Sequence, residues 1–195
     1  DAAATDAAFA RAAHVVRLDT WVPRVAPAPM EPRAAAAEYD HATGRYTVHA
    51  GGGGVERYKV DVAAVLGVPS TAVRVIGRDV GGSFGPRNMV YPEITLLPWA
   101  ARRAGRPVKW TSDRRESLLT DYQARDLASS MELALAVDGT FLALRGVNTS
   151  NVGAHAISFV PLNKGRELST SVYRVPAAAV RGQAVLSNTA PLAPY

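Results

Sequence analysis

The chain has 195 residues, 48% of them apolar and 20% charged, with a formal net charge of +5 and no cysteine. That composition supports a packed core. The missing cysteines exclude disulfide frameworks, thiolate-bound zinc, iron–sulfur ligation and cysteine nucleophiles, so any redox chemistry belongs to a bound cofactor.

Basic residues are spread from Arg11 to Arg181 rather than gathered into one run, which speaks against a nucleic-acid partner. No stretch reaches the roughly 20 uncharged apolar residues of a membrane span, and Asp1 to Ala13 lacks a signal-peptide pattern. The expected setting is cytoplasmic, with the periplasm as the alternative. The opening Asp1 and the closing Ala193-Pro194-Tyr195 read as a piece cut from a longer protein.

In chain order, Asp6 to Ala13 reads as a short helix capped by Asp6, and His14 to Leu18 as a β-branched strand. Pro23, Pro27, Pro29 and Pro32 predict an irregular stretch. Ala34 to Tyr39 and Arg45 to His49 form a hairpin around the Asp40–Gly44 turn. Val55 to Leu66 reads as a helix, with Tyr58, Val62 and Val65 at helical spacing and Gly67 as its stop. Thr71 to Ile76 is a strand, Glu93 to Ala104 a helix stopped by Gly105, Pro107 to Trp110 a strand, and Arg114 to Leu119 a short helix. Met131 to Val137 and Phe141 to Arg145 form a second hairpin around Asp138-Gly139. From Asn148 onward the pattern is turn-rich. Strands that come both in hairpins and between helices predict an α+β fold of mixed sheets with packed helices, divided into subdomains 1–147 and 148–195, the second incomplete.

Two strand–glycine–helix junctions can present backbone N–H groups to an anion. Gly51 to Gly54 lacks the Gly-Lys-Ser/Thr ending of a P-loop and the acidic residue of a dinucleotide fingerprint, leaving a flexible turn or a nucleotide loop. Asp79-Val80-Gly81-Gly82-Ser83-Phe84-Gly85 places one large aromatic among residues with almost no side chains. It reads either as a tight turn with Phe84 plugged into the core, or as a wall over a ligand that approaches the backbone closely.

Val80-Gly81-Gly82-Ser83-Phe84-Gly85 resembles the valine–triple glycine–Phe–Gly signature of molybdenum hydroxylase large subunits, the xanthine dehydrogenase, aldehyde oxidase and aerobic carbon monoxide dehydrogenase family. Five further stretches line up in order: Ala28 to Arg33, Gly105 to Trp110, Asp113 to Glu116, Ser150 to Ala154, and Thr189 to Tyr195. Together they span nearly the whole chain, as the first part of that family's molybdopterin-binding region.

The resemblance implies a molybdopterin (molybdenum cofactor) bound at Gly81, Gly82, Phe84 and Gly85, with Phe84 facing the metal's ligands, and no metal bound directly by protein side chains. It implies an oxidoreductase that hydroxylates an aldehyde or N-heterocycle with oxygen derived from water. The alternative is a non-catalytic structural or assembly module. Expected partners are the remainder of the large subunit, iron–sulfur and FAD (flavin) subunits or domains, and a small-molecule substrate. Departures are informative. Xanthine-type members carry a glutamine near the position of Val25, Ser83 replaces the third glycine, and Pro86-Arg87 replaces a common glycine–lysine pair. Gln123 falls in the substrate pocket, where xanthine-type enzymes place an arginine. The family's catalytic glutamate lies beyond residue 195, so no catalytic residue is expected in this chain.

His14, His41, His49 and His155 are scattered, without metal-ligand spacing. His155 falls in a segment near the family's active-site funnel. Asp113 to Glu116 reads as helix capping with surface charge pairing.

Overall fold

The computed structural model describes residues 1–195. Its elements in chain order are α1 (Ala2–Ala10), β1 (His14–Val25), β2 (Ala34–Asp40), β3 (Arg45–Ala50), α2 (Val55–Leu66), β4 (Val73–Ile76), α3 (Pro92–Ala104), β5 (Val108–Thr111), α4 (Arg114–Thr120), β6 (Ala124–Leu135), β7 (Phe141–Gly153), α5 (Val160–Glu167) and β8 (Ala177–Leu186). No helix is long and apolar enough to cross a membrane. Five helices and two mixed sheets make the α+β class expected from the pattern.

The chain forms two compact units, one built from Asp1–Val25 together with Tyr122–Tyr195, the other from Ala26–Asp121. The division therefore differs from the expected 1–147 and 148–195. Residues 147 and 148 lie in the middle of β7, whose ladders to β6 and β8 run unbroken through them. A strand hydrogen-bonded on both sides cannot be a boundary, since a boundary needs a segment that few contacts cross.

In the discontinuous unit, the sheet order is β1-β6-β7-β8, with β7 and β8 parallel and the other pairs antiparallel. β1 runs seven residues beyond the expected Leu18, straight through Pro23. Proline is tolerated because β1 is an edge strand, and the register with β6 skips that residue, from Val22↔Leu127 to Arg24↔Arg125. The β6–β7 hairpin turns at Asp138-Gly139, as its residues predict, with Gly139 at φ +84 and the Asp138 carboxylate accepting from the Thr140 N–H. α1 starts four residues before the expected site, because the Asp1 side chain accepts from the Ala4 N–H and supplies the cap. Asp6 lies inside the helix, 3.6 Å from Arg145. Ala8 packs against Ala134 and Ala143, where only alanines let helix and sheet approach. α5 and β8 occupy the stretch whose sequence showed only turns. Five of the eight residues of α5 are polar or glycine, and its single buried residue is Leu162.

In the continuous unit, the sheet order is β4-β3-β2-β5, with β3 and β4 parallel and the β2–β3 hairpin antiparallel as expected. Ala35 and Ala37 alternate with half-buried residues along β2 and leave room for α3, which lies against this strand. Tyr46, Val48, Tyr58, Val62, Ile94, Leu97 and Ala101 complete that core. Tyr58 and Val62 face it, as their spacing predicted. Val65 does not: it is exposed, and Ala63 is buried instead. The first turn of the expected Thr71–Ile76 strand is a 3-10 turn at Ser70–Ala72.

α2 ends at Gly67 in the left-handed region, φ +67, with nothing within 4 Å of the place a Cβ would take. The cost of Gly67→Ala is therefore conformational alone, about 1 kcal/mol. The expected result is a lower urea midpoint at unchanged m-value.

Candidate functional site

The second glycine loop leaves β4 after Ile76 and ends in a 3-10 turn at Pro86–Asn88, with α3 starting four residues later. Gly82, Phe84 and Gly85 have φ of +113, +49 and +96, whereas Ser83 does not enter the positive-φ region. Serine is thus accepted at the one interior position that does not require glycine. Phe84 in the left-handed region carries a strain of roughly 1–2 kcal/mol. Its side chain is 55% exposed, which removes the reading of Phe84 as a plug in the core.

The N–H groups of Gly82, Ser83 and Gly85 donate to no group in the chain. Three backbone donors in four residues therefore remain available beside an outward aromatic ring. Such a concavity suits a ligand rich in oxygen and nitrogen acceptors.

Both ends of the loop are held. The Gly81 N–H donates to Glu31 Oε2 at 2.7 Å, while the Glu31 N–H donates to the Gly81 carbonyl at 3.0 Å. A Cβ on Gly81 would come within 2.5 Å of Glu31 Cβ, and one on Gly82 within 3.2 Å of Pro29 Cβ. At the other end, the Arg87 carbonyl accepts from the Tyr58 hydroxyl and from the Gly53 N–H, and Ser83 Oγ donates to Asn88 Oδ1 at 3.0 Å.

The first glycine run is accordingly part of this support. Side chains at Gly52 or Gly53 would overlap the Tyr58 hydroxyl, the Arg87 carbonyl or Asn88 Oδ1. The Gly53 N–H is committed to the Arg87 carbonyl and is withdrawn from any ligand.

Behind the loop lies a buried ion cluster. Asp121 is flanked by Arg33, with Nε 2.8 Å from Oδ1, and by Arg87, with Nη2 3.3 Å from Oδ2. The Arg33 Nε contact is close but lies off the hydrogen-bond direction. Arg33 also pairs with Glu93 at 2.8 Å, donates to Thr120 Oγ1, and stacks 4.2 Å over the Tyr91 ring. Both arginine side chains are only 4% exposed. Burial pushes the Asp121 carboxyl above its ordinary range, against the pull of Arg87, Arg33 and Arg114. Burial likewise lowers Arg87, against the pull of Asp121.

Arg87 Nη2 donates to the Glu31 carbonyl at 3.1 Å, and Arg114 donates to the carbonyls of Pro29 and Met30. The 29–31 segment is thus gripped through three successive carbonyls. Asp113 caps α4 as expected, by accepting from the Glu116 N–H, but Arg114 is committed to backbone rather than to surface charge pairing. Of the residues in this cluster, Glu31 and Arg33 lie in the Ala28–Arg33 stretch that carried part of the resemblance. Tyr58 and Asp121 gave no signal of the part they play.

Gln123 belongs to the other unit. Arg24 Nη1 donates to its side-chain oxygen at 3.2 Å. A guanidinium has no acceptor, so this contact assigns the side-chain oxygen to the Arg24 side of the amide. Arg24 also pairs with Asp126 at 3.0 Å and donates to the carbonyls of Ala190 and Asn151. Val25 is the last residue of β1, half-buried. No group of three or more His, Asp or Glu side chains is placed to hold a metal ion, and His155 is exposed in the loop after β7.

Residues 1–195 match the family described as molybdopterin cofactor-binding domain. The 6-hydroxypseudooxynicotine dehydrogenase complex subunit gamma of Paenarthrobacter nicotinovorans is 35% identical over 97% of this chain and 24% of its own length. The carbon monoxide dehydrogenase large chain of Hydrogenophaga pseudoflava is 34% identical over 98% of this chain and 24% of its own. The structure of quinoline 2-oxidoreductase from Pseudomonas putida 86 superposes with a TM-score of 0.90 at 33% identity, covering 97% of this chain and 25% of that one. The chain spans about a quarter of the length of these relatives.

Asp121→Ala leaves two buried guanidinium groups without their shared carboxylate. A loss of about 3–5 kcal/mol in chemical denaturation is expected, against about 1 kcal/mol for Asp113→Ala, which removes only the cap of α4.

Proposed function

From its membership of the molybdopterin cofactor-binding domain family of molybdenum hydroxylase large subunits, we propose that the chain supplies one wall of a molybdenum site, formed by Gly81, Gly82, Phe84 and Gly85. The observation that carries this reading is the pairing of an exposed Phe84 ring with the uncommitted N–H groups of Gly82, Ser83 and Gly85. A molybdopterin presents oxo, sulfur and ring-nitrogen acceptors and holds its metal through its own dithiolene, so it asks the protein for backbone donors and close approach rather than thiolates. The residues present fit that group. When bound, it supplies the two-electron oxidation of a carbon centre with oxygen from water.

In this reading the chain's own residues bind and orient. The loop N–H groups hold acceptor atoms of the cofactor, and the Phe84 ring narrows the approach to the metal and excludes water from its face. The whole protein is proposed to hydroxylate an aldehyde or an N-heterocycle, with iron–sulfur and FAD partners taking the electrons. Relatives named for nicotine and quinoline chemistry support the heterocycle. Gln123 is proposed as a substrate contact. With its oxygen held by Arg24 it offers a donor, which suits a ring nitrogen or a carbonyl oxygen and not a cationic head.

Metal and pterin analysis of the purified complex tests the first claim: molybdenum in stoichiometric amount is expected, and a metal-free, fully folded complex overturns it. Phe84→Ala is expected to retain molybdenum and to lower kcat on the order of tenfold to a hundredfold. Unchanged kcat and KM would remove Phe84 from the site. Gly82→Ala, strained at φ +113 and crowded by Pro29 and the Phe84 ring, is expected to lose the cofactor itself.

A further inference from the structure

Four features of the continuous unit converge on Glu31. Its N–H and its carboxylate grip opposite sides of Gly81, the N–H donating to the Gly81 carbonyl and Oε2 accepting from the Gly81 N–H. Its carboxylate also lies against the first glycine run, where a Cβ on Gly51 would meet Oε2 at 3.4 Å and Oε1 at 3.7 Å. Its carbonyl is bound by Arg87, itself held by Asp121. The two residues before it are pinned by Arg114. Glu31 is therefore fixed from behind before it reaches the loop, and its carboxylate lies between Gly51 and Gly81.

The loop it meets is strained. Phe84 is held in a left-handed conformation that an L side chain rarely adopts, and Gly82 and Gly85 on either side also have positive φ. A loop of this kind keeps one shape only if its ends are over-determined. The Arg87 end has three such restraints, the Tyr58 hydroxyl, the Gly53 N–H and Asp121. The Gly81 end has Glu31.

We propose that Glu31 is the positioning residue that holds the Gly81–Gly85 loop in the conformation that presents Phe84 and the free N–H groups. For the placement of the metal this rests on the reading of that loop as a wall of the molybdenum site. For the loop itself it does not. The essential feature is an acceptor oxygen at the place of Oε2, since the bond to a charged group is worth more than a neutral one and the Gly81 N–H has no other partner.

The test is hydrogen exchange, read by mass spectrometry, on the large subunit within its complex, alongside kinetics and molybdenum content. Glu31→Ala is expected to raise exchange of the Gly81 amide, the N–H of this loop that Glu31 binds, by about tenfold or more. It should lower kcat by about the same factor, with KM and molybdenum content near those of the parent. Glu31→Gln keeps an acceptor oxygen in the same place and is expected to restore both to within about threefold. Should Glu31→Ala fail to fold, Glu31→Asp withdraws the oxygen by one methylene while keeping the charge, and the same rise in exchange is expected.

Parent-like exchange in both the alanine and the aspartate variant overturns the proposal. So does a Glu31→Gln variant as loosened as Glu31→Ala. Raised exchange with unchanged kcat and KM upholds the positioning of the loop and overturns the loop's place beside the metal.

Discussion

Arg87 is bound through its main chain and its side chain to different parts of the continuous unit. Its carbonyl accepts from Tyr58 on α2 and from Gly53, while its guanidinium reaches the Glu31 carbonyl and Asp121. With the side chain 4% exposed, its pairing with Asp121 is made away from bulk water, where an electrostatic contact is strong and an unmet one is costly. The shape of the 81–88 segment follows from that residue. Remove its carbonyl contacts and the Gly53 N–H and the Tyr58 hydroxyl lose their acceptor; remove Asp121 and the guanidinium loses its carboxylate partner. Loop, helix α2 and the 29–31 segment are thus one mechanical object.

The discontinuous unit uses the same device with Arg24 in place of Arg87. Arg24 joins the end of β1 to Asp126 on β6, to Asn151 on β7 and to the carbonyl of Ala190. Arg125 and Asp126 both have positive φ, a local deviation in β6 that accompanies the turn of the Asp126 carboxylate toward Arg24, Asn151 and Trp21. In each unit, strained non-glycine backbone occurs next to a guanidinium with several acceptors. Strain of this kind persists where surrounding bonds outnumber the freedoms they remove.

The secondary structure was legible where a single local rule decided it. Gly44, Gly67, Gly105 and Gly139 each mark a turn or helix stop with positive φ, and the β2–β3 hairpin and helix α2 lie where their patterns placed them. The glycine loop itself was visible as a motif. Its support was not, because Glu31, Arg87 and Asp121 are far apart in sequence and an isolated Glu or Arg reads as surface. The domain division failed for a related reason. Nothing local to Val25 or Tyr122 announces that 96 residues between them form a separate unit, since what joins the flanks is the pairing of Val25 with Ala124, a long-range contact. Its five polar or glycine residues out of eight hid α5, and β8 was hidden by its alanines, which favour helix over strand.

That insertion also orders events during synthesis. β1 leaves the ribosome about a hundred residues before its partner β6, an interval of roughly 5–20 s at ordinary elongation rates. All of Ala26–Asp121 emerges in between, and a unit of that size with a local hairpin folds far faster than the interval lasts. β1, with Val16, Leu18, Trp21 and Val22 exposed even in the finished structure, spends those seconds without its β6 partner. The continuous unit is complete in the chain before β6 is made, so its glycine loop can be built before β1 meets its partner.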